Sequence, residues 1–330
     1  MKTTCVVATG ANRVEVGEYE IRNPLPGEIL VETIYSAVSP GTELRCQAGK
    51  EVNAGAFPMI TGYSLVGRVL RGAGAIGEGD IVFLPGAAAM PEGVTRAWGG
   101  HIGTAIAPAS WALKLDPQTD LVSASALAML AIALHGVLKT APCVGDRVLV
   151  AGLGLIGQFA VALFRLAGCR VAVCDPVQER RVSAAPDGRF SYAPEPGWHD
   201  NGRRDFPEGF DIVVDVTGVP AVVSANLPLL RQKSWEDPHE ASPKLVLLAS
   251  YPGSIALDYQ ETLFNKEAEI VTCRNYLPHD LQRAARLLET GLVDLKPFLP
   301  AALPVVEAAQ GYRQLREQPG QTLTVVFDWR

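Results

Sequence analysis

The chain has 330 residues, 48% of them hydrophobic and 19% charged, which fits two soluble cores and excludes a disordered or fibrous chain. Its net charge of −6 offers no basic footprint for nucleic acid. The start, MKTTCVVATG, lacks the features of a secretory signal, and Cys5, Cys46, Cys143, Cys169, Cys174 and Cys273 form no C-x-x-C pair, so reduced thiols in a cytoplasm are expected.

Residues up to about Asp116 read as short strands broken by Gly and Pro. They include Thr4 to Ala8, Glu28 to Tyr35, Gly67 to Leu70 and, after the turn at Gly77 to Asp80, Ile81 to Leu84. Strands at such spacing suggest a small barrel. The uncharged run Leu121 to Leu138 is nearly long enough to span a membrane. It carries Ser123, Ser125, His135 and Gly136 and leads into another strand, so it reads as a buried helix and no membrane span is expected. Strand and helix then alternate, the signal of a doubly wound parallel sheet, with further strands at Ile212 to Val216 and Leu245 to Ala249. Two hydrophilic segments, Ser183 to Gly209 and Arg231 to Pro243, lack clear periodicity and read as surface loops or insertions. An amphipathic helix over Leu281 to Thr290 is stopped by Gly291, and a last strand, Leu323 to Phe327, returns to the β-rich style of the start. The expected division is therefore 1–123 and 275–330 for one domain and 124–274 for a second inserted into it, with the active site in the cleft between them.

Within the inserted part, Val148 to Asp175 reads strand, glycine turn, helix, strand, acid. Gly152 permits the tight turn, Gly154 lets the backbone approach a pyrophosphate, and Gly157 lets the helix pack on the strand. The helix start at Leu155 and Ile156 presents unpaired N–H groups to phosphates. Asp175 stands where a carboxylate accepts hydrogen bonds from ribose hydroxyls and repels a 2′-phosphate, which favours NAD(H). Arg180 and Arg181 keep NADP(H) as the minority reading. Thr217, Gly218, Ala249 and Ser250 follow strand ends and are candidates to line the nicotinamide half. Ordinary turn chemistry is the alternative for each.

The pieces P-G-E at Pro26 to Glu28, S-P-G-T-E-L at Ser39 to Leu44, T-G-Y-S-L-V-G at Thr61 to Gly67, G-D-I-V-F at Gly79 to Phe83, the run from Gly145 and D-V-T-G at Asp215 to Gly218 resemble the medium-chain dehydrogenase/reductase superfamily over essentially the whole chain. That resemblance implies a GroES-like barrel domain joined to a Rossmann domain, and hydride transfer between a nicotinamide and an alcohol, ketone or activated alkene. It also implies a homodimer. In the zinc enzymes of the superfamily, three ligands stand at positions that correspond here to Pro40, Tyr63 and Ala128. Such a set cannot hold a tetrahedral zinc, and the cysteine-rich structural loop is missing from Pro85 to His101, so no metal is expected. Thr42 corresponds to the hydroxyl of the family's proton relay. Tyr63 then reads as a neutral phenol that polarises the carbonyl, with help of about 10² to 10⁴ in rate, or as a side chain that merely fills the space of the metal. Glu43 matches the acid beside Thr42, where it would hold the loop through backbone hydrogen bonds.

His101 is the histidine placed to reach the cleft. His135 reads as a hydrogen-bonded packing residue, and His199, His239 and His279 as exposed. The S-P-G-T-E piece, the tyrosine in place of a metal-binding histidine, A-L-H-G-V and the terminal F-D-W-R also look like the 3-hydroxyethyl bacteriochlorophyllide dehydrogenase branch. That branch oxidises a hydroxyethyl side chain of a tetrapyrrole to an acetyl group, which implies a bulky, apolar small-molecule substrate. The alternatives are an NADPH-dependent quinone or enoyl reductase and a non-catalytic cofactor-binding protein.

Overall fold

The computed structural model describes residues 1–51, 54–237 and 240–330, so His239 lies outside the described residues. The chain forms two compact units, Met1–Met129 with Leu281–Arg330, and Leu130–Asp280.

The first unit is β-rich. One sheet runs in the order Arg13–Glu20, Lys2–Gly10, Met59–Ile60, Thr95–Arg96. A second, seven-stranded sheet is centred on Glu28–Ala37, which pairs antiparallel with Leu65–Arg71, Thr104–Pro108 and Val326–Asp328. The last of these strands comes from the returning tail. Alternation explains the barrel interior: Ile29 and Val31 point inward from one strand and meet Val69, Val82, Leu84 and Ile106 from its neighbours, all fully or almost fully buried. A second apolar cluster joins Val6 and Val38 to Tyr312, Leu315 and Phe327, so the tail is part of this core.

The second unit is a six-stranded, all-parallel sheet in the order Ser191–Tyr192, Arg170–Cys174, Arg147–Ala151, Ile212–Asp215, Lys244–Leu247, Glu269–Thr272. The first strand in sequence lies inside the sheet and the order reverses there, as in doubly wound nucleotide-binding folds. Val148, Leu149 and Val150 are fully buried, as strands covered on both faces require. The run Leu121 to Leu138 is helical in two pieces, Leu121–Ala124 and Leu127–Thr140. The Asp120 side chain caps the first by accepting the Ser123 N–H. Among the described residues no helix is long and apolar enough to cross a membrane.

The segment Ser183 to Gly209 departs from its reading as a loop. It contains the strand Ser191–Tyr192 and the helix Trp198–Asp205, and Tyr192, Trp198 and Phe206 are buried against Phe210 and Leu230. Its aromatic residues fall at no regular period among charges and glycines, so periodicity missed them. In Arg231 to Pro243, Arg231 is itself buried, its Nε donating to Asp211 at 2.7 Å.

Gly157 fixes the helix Leu155–Leu166 on its strand: a Cβ there would lie 1.9 Å from the Gly152 carbonyl oxygen, a backbone atom that cannot turn aside. Gly157→Ala is expected to destabilise the protein by about 2–4 kcal/mol and to lower its thermal midpoint. An unchanged midpoint in calorimetry would contradict this packing.

Candidate active site

In the first unit the strand Glu28–Ala37 ends in Ser39, which begins the helix Pro40–Gln47 with Pro40 at its first position, where a missing N–H costs nothing. Ser39 makes no side-chain cap bond. Its Oγ instead accepts the Tyr63 hydroxyl at 2.5 Å, and Thr42, in the first turn of the helix, lies close enough to that phenol to favour its ionised form. Three hydroxyls, Ser39, Thr42 and Tyr63, therefore meet at one place. Burial pushes the Tyr63 phenol up to about 12, so at neutral pH it is a proton donor and not a phenolate. Trp98 packs edge-on against the Tyr63 ring, with centroids 5.5 Å apart.

Beneath this cluster Glu43 and His101 are both completely buried. Glu43 Oε1 accepts the Ser39 N–H at 2.8 Å. Oε2 accepts from Thr61 Oγ1 at 2.7 Å, from the Tyr312 hydroxyl at 2.6 Å and from His101 Nε2 at 2.9 Å. The other ring nitrogen, Nδ1, lies 2.8 Å from Ser36 Oγ, which accepts Trp329 Nε1–H at 2.9 Å. His101 thus links the carboxylate to the tail: Nε2 meets Glu43, and Nδ1 meets the Ser36 hydroxyl that accepts from Trp329. Burial pushes the Glu43 carboxyl up, but the His101 ring, the Tyr312 hydroxyl and the Ser39 N–H outweigh it and hold the group below the usual carboxylate range. Tyr312, pushed well above its ordinary value by burial and by Glu43, stays a donor. His101 thus faces Glu43 and not solvent, and Glu43 uses three side chains beside the one backbone group expected.

Ser64 donates to the Ser125 carbonyl at 2.5 Å and accepts the Ala128 N–H at 3.3 Å. Among the described residues, no group of three or more His, Cys, Asp and Glu is arranged to hold a metal ion.

In the second unit, Gly152 has φ +91°, and a Cβ there would come within 2.9 Å of the Thr217 backbone nitrogen. Nothing lies within 4 Å of a Cβ at Gly154, so the turn leaves open space where a pyrophosphate would approach. The first intrahelical bond runs from Gln158 N–H to Gly154 O, so the N–H groups of Leu155, Ile156 and Gly157 have no partner within the helix. Asp175, almost fully buried, accepts the Leu153 N–H on Oδ2 at 2.7 Å and the Val177 N–H on Oδ1 at 2.8 Å, with the Arg180 guanidinium 3.9 Å away. Each carboxylate oxygen keeps a second lone pair for a ribose hydroxyl. Open space, a helix start and an acid at the next strand's end fit a dinucleotide.

Thr217 and Gly218 follow the strand Ile212–Asp215, and Ala249 and Ser250 follow its neighbour Lys244–Leu247. Gly218 has φ +69°, and a Cβ there would meet the Ser250 carbonyl oxygen at 2.9 Å, so the two turns touch. Thr217 Oγ1 donates to the buried Asp215 at 2.9 Å, as does the Tyr251 hydroxyl at 2.8 Å. Burial raises the Asp215 carboxyl above its usual range. His135 Nδ1 lies 2.7 Å from Asp280 Oδ2, a packed and hydrogen-bonded histidine. His279 is exposed, while His199 is half-buried beside Asn226.

Ser36, Tyr312 and Trp329 escaped the sequence reading, because nothing local links the tail to the loop it supports. Ser39 stood within the S-P-G-T-E piece, but only the fold shows its hydroxyl turned to Tyr63.

The lowered Glu43 group sets a pH dependence. A carboxylate whose folded pKa is depressed contributes stability above its unfolded pKa of about 4.3 and loses it as pH falls through the folded value. Glu43→Gln, which turns an amide donor toward other donors, should lower the thermal midpoint at pH 7, and the gap to the unaltered protein should close below about pH 4. A gap constant down to pH 3 would contradict the ionised, fully bonded state.

No protein-family model matches the chain. Along its whole length it is 27% identical to 2-desacetyl-2-hydroxyethyl bacteriochlorophyllide A dehydrogenase of Rhodobacter capsulatus, covering 99% of that protein. Its fold is similar to that of an alcohol dehydrogenase from Escherichia coli solved with NADH, at 17% identity and a TM-score of 0.85, with 99% of each chain covered. It is also similar to that of a candidate zinc-binding dehydrogenase from Sinorhizobium meliloti bound to NADP, at 20% identity and a TM-score of 0.82, again over 99% of each chain. The glycine turn, the barrel and the whole-length similarity agree: the chain is an oxidoreductase similar to the dehydrogenases of the medium-chain dehydrogenase/reductase superfamily.

Proposed function

We propose that the protein is a zinc-independent, NAD(H)-dependent oxidoreductase that interconverts a secondary alcohol and a ketone, oxidising a hydroxyethyl group on a large tetrapyrrole, such as a bacteriochlorophyllide, to an acetyl group. The observation that carries this reading is the hydroxyl cluster of Ser39, Thr42 and Tyr63, in which the family resemblance matches Tyr63 to a metal-ligand position and Thr42 to the relay hydroxyl. The likeness to the Rhodobacter capsulatus enzyme supports the choice of substrate.

The bound nicotinamide supplies the hydride acceptor at its C4. In oxidation, the carbinol proton passes to the Tyr63 oxygen as the phenol releases its own proton to Ser39 Oγ and Ser39 releases its hydroxyl proton in turn toward solvent, while Thr42 keeps the phenol oriented. In reduction, the neutral phenol donates to the carbonyl oxygen and stabilises the developing alkoxide. Leu155, Ile156 and Gly157 hold the pyrophosphate with their N–H groups, Asp175 holds the ribose, and Thr217, Gly218, Ala249 and Ser250 line the nicotinamide half. Asp175 favours NAD(H), and Arg180 at 3.9 Å from it is the feature on which an NADP(H) reading would rest. His101 supports Glu43 in this scheme and does not touch the reacting atoms.

A cytoplasmic homodimer joined at the edge of the parallel sheet completes the reading. It is supported by Glu269–Thr272, the last strand of that sheet, which pairs on one side only among the described residues and exposes Ile270.

With 2-desacetyl-2-hydroxyethyl bacteriochlorophyllide a as substrate, Tyr63→Phe should cut turnover by about 10² or more while the affinity for NADH, read by fluorescence titration, stays unchanged. Unchanged turnover with bound cofactor would remove Tyr63 from the chemistry.

A further inference from the structure

We infer that Trp98 is a specificity residue: its indole, held beside Tyr63 by a strained backbone, forms an aromatic wall that selects a planar conjugated ring bearing the reacting carbinol. Trp98 has φ +70°, in the left-handed region that a bulky residue seldom enters and that glycine enters freely. The surrounding chain forces that conformation. Ala97 N–H and Gly99 N–H both donate to the Ile60 carbonyl, at 2.9 and 3.2 Å, and Gly100 N–H reaches the Thr61 and Gly62 carbonyls. The Trp98 carbonyl oxygen lies 2.0 Å from where a Cβ on Gly86 would stand, so only glycine at 86 admits the turn.

A turn of this shape asks for glycine at position 98, as it has at position 99 with φ +74°. The chain instead carries its largest side chain there, at a cost in backbone strain, and strain of this kind gathers where a side chain must be aimed. Core filling does not explain the choice. The indole is half-buried, packed against the cluster of Ala8, Cys46 and Met59. Its contact with Tyr63 is edge-to-face, at 5.5 Å and 70°, so indole and phenol set two aromatic rings at an angle to each other. Aromatic pairs gain most from offset or edge contacts, a match for a flat conjugated ring and a poor one for a short alkyl chain. This inference rests on the reading of Tyr63 as the group that meets the reacting oxygen.

The test uses the full chain with Trp98→Gly and Trp98→Phe. Bacteriochlorophyllide a, the acetyl-bearing tetrapyrrole, is titrated against each protein by equilibrium dialysis, and thermal midpoints are recorded alongside. Trp98→Gly relieves the strain but gives up the indole's packing and adds unfolded-state entropy, so its midpoint should change little while tetrapyrrole binding weakens roughly tenfold. Trp98→Phe, which keeps an aromatic face, should retain most of the affinity. Equal binding by all three proteins, or a fall in midpoint with binding unchanged, assigns Trp98 to packing and overturns the inference. Dialysis needs no turnover: a binding contrast without hydroxyethyl oxidation sinks the proposed reaction and leaves the wall standing, whereas oxidation without the contrast does the reverse.

Discussion

A carboxylate removed from solvent must find donors for its lone pairs or the fold around it fails. Glu43 meets that condition with donors from four stretches of chain: the loop at Ser39, the turn at Thr61, the segment at His101 and the tail helix at Tyr312. The three hydroxyls of the candidate site stand directly above it, tied to it through the Ser39 backbone. The returning tail is thereby part of the site's foundation, since Tyr312 supports Glu43 and Trp329 supports His101 through Ser36.

The His101 ring joins the two halves of this support, with Nε2 on Glu43 and Nδ1 on Ser36, which accepts from Trp329. The nucleotide unit follows a different logic, built from backbone more than side chains. Gly157 and Gly218 face carbonyl oxygens too close for a Cβ, Gly152 needs its positive φ, and Asp175 braces the turn through Leu153 with lone pairs to spare.

What could be read from the sequence divides along the same line. The glycine turn, the parallel strands and Asp175 were legible because their chemistry is local: each role is set within the 28 residues from Val148 to Asp175. The barrel site was legible only in part. Thr42 and Tyr63 stood out because the family resemblance matches them to a relay hydroxyl and a ligand position. The partners of His101 come from both ends of the chain, so a reading along the sequence sent the ring toward a cleft when its bonds hold it in the core. The hydrophilic stretch from Ser183 to Gly209 hid a helix because its buried aromatics follow no period and are recognisable only once they meet Phe210. Trp98 was invisible for another reason: a positive φ at a tryptophan is a property of the folded backbone that composition does not announce.

The central claim is that hydroxyl side chains do the work that relatives give to a metal. Its most direct test is elemental analysis of the purified protein by mass spectrometry, paired with turnover of the hydroxyethyl substrate before and after dialysis against a strong chelator. The account predicts zinc far below one equivalent per chain and turnover unaffected by the chelator. A full equivalent of zinc per chain, whose removal abolishes turnover and whose return restores it, would contradict the account.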